Sequence, residues 1–233
     1  MYKQFTAHGP TAALEPADFG GPAITHSGGL DALVALEQIG TCRSFGRDEE
    51  IYAEGDRADC WYRVVSGTVR ICKLLVDGRR HIAEFCCAGD YFGLPPAGTR
   101  AFSAEAVGQV VVMRYPQRAA DRLLDQDSRL ARGLCNLSLR DLAHAQVRMM
   151  VLGRMTAAER VASFLLEMSE RHDGRRTLDL PMSRTDIADY LGLTIETVCR
   201  VLSAFKRDRV IDIPTPHRIE LRCRDALEAL AEA

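Results

Sequence analysis

The sequence predicts an α+β fold, in which an N-terminal β-roll of the jelly-roll type and a C-terminal winged helix-turn-helix are joined by one long helix. Three observations support this prediction. Short alternating segments broken by glycines occupy residues 51–113, which is typical of antiparallel strands. A seven-residue repeat of leucines follows within residues 117–152. After it, two capped helices flank a glycine and precede two short β-like runs.

The length and composition agree with two folded domains. The chain has 233 residues, of which 47% are apolar, so it contains enough apolar side chains for two cores. We predict four segments: a flexible arm (1–29), the β-roll (30–116), a dimerisation helix (117–152) and the winged helix-turn-helix (153–233). The formal net charge is only −2, so contact with an acidic partner would depend on where the arginines lie and not on a basic chain.

The N-terminus and the apolar runs bear on where the protein acts. No apolar run approaches the roughly 20 residues that span a bilayer, and the first 30 residues lack a charged-then-apolar signal pattern. We therefore expect a cytoplasmic protein without a membrane partner. Residues 1–29 are rich in Gly, Pro and Ala, which favours a flexible arm.

The β-roll is predicted from the glycine spacing. Gly55, Gly67, Gly78 and Gly89 follow one another at intervals of 12, 11 and 11 residues. Asp77 directly before Gly78 is a hairpin turn signal, and alternating apolar residues lie on both sides of it. Residues 30–116 therefore fit a jelly-roll sandwich. Any other small all-β sandwich is the alternative.

Two apolar stripes mark the long helix over residues 117–152. Leu123, Leu130 and Leu137 recur every seven residues, and a second set with the same interval contains Leu142 and Met149 together with Cys135. The stripes lie about 140° apart at 100° per residue. One stripe would pack on the β-roll and the other on a partner's helix, so we predict dimerisation through Leu123, Leu130, Leu137, Leu142 and Met149. The alternative is a helix buried on both sides within a monomer.

The helix-turn-helix is predicted from capping signals. Ser183 and Asp186 form a capping box at the start of the first helix, Gly192 supplies the turn, and Thr194 can cap the second helix. The second helix has an apolar stripe of Val198, Val201, Leu202 and Phe205. Residues 210–213 and 218–221 are β-like runs that fit a wing.

The opposite face of the second helix carries groups that read base pairs. A guanidinium forks onto the two major-groove acceptors of guanine, and a carboxylate accepts from the cytosine amino group. We therefore predict base reading by Ile195, Glu196, Cys199 and Arg200. Phosphate contacts are predicted for Ser183, Arg184, Thr185, Thr194, Thr197 and Ser203. The alternatives are a solvated helix face with a Glu–Arg pair, and hydroxyls that serve only as caps.

With these residues in place, residues from about 45 to 228 resemble the CRP/FNR family of bacterial transcription regulators, and in particular its FixK-type members. The FNR branch has a Glu-x-x-Ser-Arg motif, matched here by Glu196 and Arg200, with Cys199 in place of the serine. The CRP branch has an arginine where this chain has Ile195. The resemblance implies a homodimer on a palindrome of TTGA(C/T) half-sites, recruitment of RNA polymerase as an activator, and a low-oxygen or nitrogen-fixation regulon.

The same resemblance raises the question of a ligand. In the family, a cyclic-nucleotide cassette provides a glutamate and an arginine, but Leu94 and Phe102 occupy those positions here. Arg100 is interpreted as an ordinary surface arginine. The N-terminal cysteines that hold an iron–sulfur cluster in the oxygen-sensing branch are missing, since the first cysteine is Cys42. We predict no cofactor and no metal, and we keep a ligand-responsive regulator with a degenerate cassette as the alternative. No enzyme motif is present.

The eight cysteines suggest one further hypothesis. Most of them are expected to be buried small hydrophobes. Cys199 precedes Arg200, and Cys223 lies between two arginines, an environment that favours the reactive thiolate. Cys199 and Cys223 are therefore candidate redox thiols, and unreactive thiols are the alternative. His81 and His144 are too isolated in the sequence to indicate haem.

Overall fold

The structure is a computed structural model that describes residues 36–94 and 98–232. The predicted arm at residues 1–29 lies outside the described residues. None of the helices in the described ranges is long and apolar enough to cross a membrane. The α+β fold that the sequence predicts is present, with a β-roll, a helical connection and a C-terminal winged helix-turn-helix.

The β-roll consists of two four-stranded antiparallel sheets. In one, the strand order is β1-β8-β3-β6, and in the other it is β2-β7-β4-β5. The strands are β1 Thr41–Phe45, β2 Glu50–Tyr52, β3 Cys60–Ser66, β4 Val69–Leu74, β5 Arg80–Cys86, β6 Tyr91–Phe92, β7 Ser103–Ala106 and β8 Val110–Pro116. Inward-facing residues of both sheets form one apolar core, which includes Val64, Ala104 and Val112 at 0% exposure.

Glycine is required at one turn of this roll by close approach of the backbone. Gly67 joins β3 to β4 with φ +88°, and a Cβ at this position would lie 2.4 Å from the carbonyl oxygen of Gln109. Any other residue would clash with that carbonyl and adopt a strained left-handed conformation. The glycine spacing thus predicted a turn that the packing of the roll demands.

The long helix differs from its prediction, because it is broken into α1 Gln117–Gln126 and α2 Ser128–Arg154. Asp127 between them has extended backbone angles (φ −123°, ψ 102°), and its carboxylate accepts from the backbone N–H of Arg129 at 2.8 Å. This side chain caps α2 as a new helix. At the other end α2 continues through Gly153, so the predicted boundary at residue 153 falls inside the last helical turn.

The leucine stripe of this region packs within its own chain. Leu130 is fully buried in a cluster with Trp61 and Tyr115 of the β-roll, and Leu123 and Leu137 pack against the same cluster. Leu130 is therefore not available to a partner, and its assignment to a dimer contact is corrected, whereas Leu123 and Leu137 are only half-buried and their part in a dimer stays a prediction. The second stripe is open to solvent, with Leu142 and Met149 at 54% and 66% exposure.

The C-terminal domain, residues 156–232, is called the reading domain below. It contains three strands in the order β10-β11-β9 and four helices. Their apolar core continues into the β-roll through Cys72, Ile82, Phe85 and Val107. Its elements are α3 Ala157–Glu170, β9 Thr177–Asp179, α4 Arg184–Leu191, α5 Ile195–Arg207, β10 Ile211–Thr215, β11 Arg218–Leu221 and α6 Arg224–Ala231. The strands β10 and β11 form the predicted wing, and β9 pairs with β11 to extend it.

Candidate nucleic-acid interface

The turn between α4 and α5 is built by short-range hydrogen bonds. Ser183 Oγ accepts from the backbone N–H of Asp186 at 3.0 Å, and Asp186 Oδ2 accepts from the backbone N–H of Ser183, also at 3.0 Å. This reciprocal capping box starts α4 as the sequence predicts. Gly192 ends the helix in the left-handed region (φ +62°), and the N–H of Leu193 returns to the carbonyl of Ala188 at 3.0 Å.

Helix α5 turns one face to the core and the other to solvent. Thr194 caps it by accepting from the N–H of Thr197 at 3.3 Å. Val198, Leu202 and Phe205 are buried against the rest of the reading domain. On the other side, the structure places the four predicted base-reading residues together on one exposed surface: Ile195, Glu196, Cys199 and Arg200. We call this surface the reading face.

The charges on the reading face do not neutralise each other. No ion pair joins Glu196 to Arg200, and within the described residues Arg200 has no hydrogen-bond partner. The pKa of Glu196 is held below its ordinary value by its own backbone N–H, by the hydroxyl of Thr194 and, more weakly, by the charge of Arg200. Glu196 is thus an ionised acceptor and Arg200 a free donor, which is the pair of functions that a G·C step requires.

Five of the six predicted phosphate ligands carry a hydroxyl, and these five fall into two groups. In the first group the hydroxyls are already occupied: Ser183 Oγ donates to Asp186 Oδ2 at 2.8 Å, and the hydroxyls of Thr194 and Thr197 lie 3.1 Å apart. Ser183 and Thr194 are therefore helix caps in the free protein, and the hydroxyl of Thr197 contacts the cap of its own helix. The second group, Thr185 and Ser203, is exposed beside the reading face.

Arg184, another predicted phosphate ligand, connects three parts of the site. Its Nη2 donates to the carbonyl of Pro216 in the wing turn at 3.0 Å. Burial lowers the pKa of Arg184, and the nearby Cys199 thiol acts in the opposite direction. Arg184 thus lies between the start of α4, the reading face and the wing, and it holds the wing turn next to the reading helix.

Arg100 is not a surface residue, contrary to the interpretation of the sequence. Only 6% of it is exposed, and its guanidinium donates to the carbonyl oxygens of Gly93 and Cys60. Its Cζ lies 4.3 Å from the ring centroid of Tyr52 and 5.9 Å from that of Tyr62. Aromatic faces and two backbone carbonyls replace most of the water around the charge, although within the described residues its Nε has no hydrogen-bond partner.

An aromatic stack completes the interior around Arg100. The rings of Tyr62 and Phe92 are 5.1 Å apart, and those of Tyr52 and Tyr62 are 5.6 Å apart. Burial raises the pKa of Tyr62 to about 12, so the ring hydroxyl stays neutral. The inside of the β-roll next to the degenerate cassette is therefore filled by side chains of the chain itself.

The cysteines are less buried than the sequence suggested. Cys60, Cys72 and Cys86 are buried and Cys87 is half-buried, whereas the other four are exposed: Cys42, Cys135, Cys199 and Cys223. The expectation that most would be core residues is wrong, because several lie on outward-facing positions of strands and helices. Both candidate redox thiols, Cys199 and Cys223, are among the exposed ones.

Sequence reasoning missed a residue that holds the reading domain to α2. Arg160 of α3 donates to the carbonyl oxygens of Leu152, Met155 and Leu191 at 2.9, 3.0 and 3.0 Å, respectively. These carbonyls lie at helix ends, where no partner within the helix remains. An arginine in the first turn of an amphipathic helix has no pattern that marks such a role, so the sequence offers no signal for it.

Two family models match the chain. A Crp-like helix-turn-helix domain matches residues 159–230, and a cyclic nucleotide-binding domain matches residues 42–127. Together with the β-roll and the winged helix-turn-helix, these matches define the class of the protein. The chain belongs to the CRP/FNR family, whose members are transcription regulators and not enzymes.

Within the family the similarity is to FixK proteins. The nitrogen fixation regulation protein FixK of Azorhizobium caulinodans is 43% identical over 197 residues, which cover 82% of this chain and 79% of that protein. FixK of Rhizobium meliloti is 42% identical over 181 residues, covering 78% of this chain and 82% of that protein. The solved structure of FixK2 from Bradyrhizobium japonicum is 42% identical, covers 84% of this chain and 98% of its own, and has a TM-score of 0.81. The FixK-type resemblance is confirmed.

Proposed function

We propose that this chain is a transcriptional activator of a low-oxygen or nitrogen-fixation regulon that binds a TTGA(C/T) palindrome as a homodimer. The regulon is suggested by the nitrogen fixation regulators to which the chain is similar. RNA polymerase is its further partner, as expected for an activator, and the bacterial cytoplasm, where the chromosome lies, is its place of action. The observation that carries the proposal is the reading face, with an ionised Glu196 and an unpaired Arg200 one turn apart.

The homodimer is supported by the exposed stripe on α2. Cys135, Leu142 and Met149 recur every seven residues on the side of α2 that faces away from the β-roll. Leu139 and Met150, at 58% and 68% exposure, widen this stripe. A monomeric protein rarely leaves such a continuous apolar surface in water. A two-fold axis along α2 also matches the symmetry of a palindromic operator.

Binding without a small effector is supported by the filled β-roll. A cyclic nucleotide needs an arginine that is free to meet its phosphate, but Arg100 is held by the carbonyls of Gly93 and Cys60 and by the Tyr52 ring. The competing proposal, a ligand-responsive regulator, draws support from the cyclic nucleotide-binding family model over residues 42–127. A ligand that binds only the native chain raises its melting temperature, so thermal unfolding with cyclic AMP or cyclic GMP distinguishes the two.

Oxidation of Cys199 is a second route of control that we propose. The thiol is exposed on the reading face, near Arg184. A sulfenic or sulfinic acid at this point would add polarity and negative charge against the DNA backbone and weaken binding. Peroxide treatment followed by mass spectrometry and DNA titration tests this, with Cys199→Ser as the insensitive control. Undiminished affinity of a chain oxidised at Cys199 contradicts the idea.

The experiment for the proposed function is a fluorescence-anisotropy titration of the reduced, ligand-free protein. A labelled TTGAC–GTCAA palindrome is compared with a scrambled duplex at one fixed salt concentration, because phosphate contacts make every affinity depend on salt. Tight, selective binding is the expected result. Equal, weak binding to both duplexes would overturn the operator assignment, and selectivity that emerges only with added cyclic nucleotide would favour the competing proposal.

A further inference from the structure

The strand β5 of the β-roll contacts three helices through three arginines. The first is Arg80, at the start of β5 itself. Its Nε donates to Asp189 Oδ2 at 2.9 Å and its Nη2 to Asp186 Oδ1 at 2.5 Å, and both carboxylates belong to α4 of the reading domain. Arg70 of the neighbouring strand β4 donates to the same Asp186 Oδ1 at 3.3 Å. Asp186 is only 4% exposed, so this ion pair is shielded from water.

The second arginine, Arg148 of α2, lies between β5 and α4. Its Nη2 donates to the carbonyl of Ile82 at 3.2 Å and to the carbonyl of Tyr190 at 2.8 Å. Its Cζ stacks on the Tyr190 ring at 3.3 Å from the centroid. One guanidinium thereby joins the connecting helix, the β-roll and the first helix of the helix-turn-helix.

The third arginine, Arg171, follows the end of α3. Its Nη1 donates to the carbonyl of Phe85 at 3.0 Å and to Asp90 Oδ2 at 2.9 Å, and its Nη2 reaches Glu84 Oε1 at 3.4 Å. It also pairs with Glu167 of its own helix at 3.2 Å. Arg171 therefore joins the C-terminal end of α3 in the reading domain to the C-terminal end of β5.

We propose that Arg80, Arg148 and Arg171, which we call the β5 clamp, hold the reading domain in its DNA-binding orientation, and that this clamp replaces a small effector. The three contacts reach β5 at its first residue, its third residue and its sixth residue, so they resist rotation as well as separation of the domains. The inference rests on the proposed function, since it explains how the ligand-free chain presents both reading faces of a dimer to two half-sites.

The clamp favours one orientation because each guanidinium is bound from several sides. Arginine donates through a rigid planar fork, and its partners here come from two or three elements at once. Rotating the reading domain would leave desolvated charges without partners, which is costly even where the intact pair itself adds little stability. A ligand-gated family member would need its effector to bias the domain orientation; here the chain supplies that bias itself.

The test uses the full-length chain with Arg80→Gln, Asp189→Asn and the double variant. Arg79→Gln is the matched control, because Arg79 is the adjacent residue and, among the described residues, its guanidinium pairs only with Asp77 inside its own hairpin. Operator and scrambled duplexes are titrated by fluorescence anisotropy, and hydrogen–deuterium exchange is followed in β5 and α4 without DNA. Asp189→Asn is isosteric and only removes charge, so one variant remains informative if Arg80→Gln folds poorly.

We expect Arg80→Gln to lose about tenfold in operator affinity, in the range typical of coupling between domains. Affinity for the scrambled duplex should change much less, and Arg79→Gln should behave as the wild type. The double variant should be no weaker than Arg80→Gln, because the two residues act as one contact. Arg80→Lys, which keeps the charge but not the fork, should recover part of the loss.

Two results would overturn the clamp. One is operator binding by Arg80→Gln that equals the Arg79→Gln control; the other is unchanged hydrogen exchange in both β5 and the first turn of α4. The exchange measurement needs no DNA, so it tests the β5 clamp even if the wild type does not select the palindrome. A wild type that does not select the palindrome would contradict the proposed function but leave the test of the clamp intact.

Discussion

Arg200 and Glu196 lie one turn apart, and their surroundings assign them different tasks. Arg200 is exposed and unpaired within the described residues, so all its donors face solvent. Glu196 is held ionised at the helix N-terminus, where backbone N–H groups favour a negative charge. If the pair reads bases as proposed, it would distinguish base pairs because a wrong base leaves a donor or acceptor without a partner.

Replacing Arg200 by Ala should weaken operator binding by about 1–3 kcal/mol and relax selection at the guanine it reads. Glu196→Gln should instead relax selection at the neighbouring pair. Anisotropy titrations on palindromes with one base pair changed in each half-site measure both effects. Arg79→Ala, in the β4–β5 hairpin and outside the reading face, serves as the control. If Arg200→Ala weakens palindromic and scrambled DNA by the same factor, Arg200 contacts phosphate and not a base.

The burial of Arg100 is a property of a single residue that the sequence did not predict. An arginine in a loop is normally exposed, and its sequence neighbours give no reason to expect otherwise. The residues that make burial possible, Tyr52 and Cys60, lie 48 and 40 positions away and meet it only in the folded roll. The reading face was predictable, in contrast, because one amphipathic helix contains all its residues.

At the scale of elements, two glycines in helical surroundings have opposite roles. Gly192 adopts φ +62° at the α4–α5 turn, which side chains rarely accept, although the space around it would admit a Cβ. Gly153 lies in the last turn of α2, and a Cβ there would meet nothing within 4 Å. The same substitution should therefore have opposite signs at the two positions.

Gly192→Ala should destabilise the chain by about 1–2 kcal/mol, because it forces a side chain into the left-handed region. Gly153→Ala should stabilise it by about 0.5–1 kcal/mol, because alanine loses less backbone entropy in a helix. Denaturant unfolding monitored by circular dichroism gives both free energies of unfolding. A destabilised Gly153→Ala would show that α2 needs a flexible residue at this position.

The exposed stripe of α2 leads to a prediction about assembly. In the proposed homodimer, Leu142→Glu should shift the protein from dimer to monomer, since it places a charge in an interface that apolar side chains would otherwise fill. Sedimentation velocity measures the shift. Val147→Glu is the matched control, because Val147 is also exposed on α2, at 61%, but lies off the stripe. A Leu142→Glu protein that stays dimeric at all concentrations would place the interface elsewhere.

The connecting helix also shows what periodicity can and cannot predict. The seven-residue repeats indicated two apolar faces, and both exist. The assignment of Leu130 to the partner was wrong, because a repeat predicts the direction of an apolar face and not the element that covers it. The break at Asp127 was equally hidden, since a single capping aspartate lies within an otherwise continuous helical pattern.

At the scale of the whole molecule, Asp186 links folding of the reading domain to domain docking. Burial raises the pKa of its carboxyl, but hydrogen bonds from the backbone N–H and hydroxyl of Ser183, together with the charges of Arg70 and Arg80, outweigh burial, so the pKa lies below its ordinary value. A carboxyl whose pKa is lowered by folding contributes stability above its unfolded pKa. That contribution is lost as the pH falls through the folded value.

The melting temperature should therefore fall on acidification below about pH 4, where carboxyls begin to protonate. The variant Asp186→Asn should have a lower melting temperature than the wild type at neutral pH. Its melting temperature should fall less than that of the wild type on acidification. Thermal unfolding of both chains at about pH 6 and about pH 3 makes the comparison. An equal fall in melting temperature for both chains would mean that other carboxyls account for the acid sensitivity.

The fold class, a β-roll joined by helix to a winged helix-turn-helix, was predictable from the sequence, but the way the two domains meet was not. Composition, glycine spacing and capping boxes each depend on neighbours within a few positions. The contacts between β5 and the reading domain join residues such as Arg80 and Asp189, which are 109 positions apart. Arginines and carboxylates in those segments have the pattern of ordinary surface residues, so only the folded chain reveals their pairing.

Arg100 can also be regarded as a ligand that is covalently attached to its own binding site. A tethered group faces its site at an effective concentration on the order of millimolar, whatever the concentration of free metabolites in the cell. It is neither diluted by growth nor consumed by metabolism. A small molecule would displace it only by binding the same site tightly enough to outcompete that effective concentration. In the effector-independent regulator proposed above, the speed of the response would be set by how fast the chain is synthesised, degraded or chemically modified.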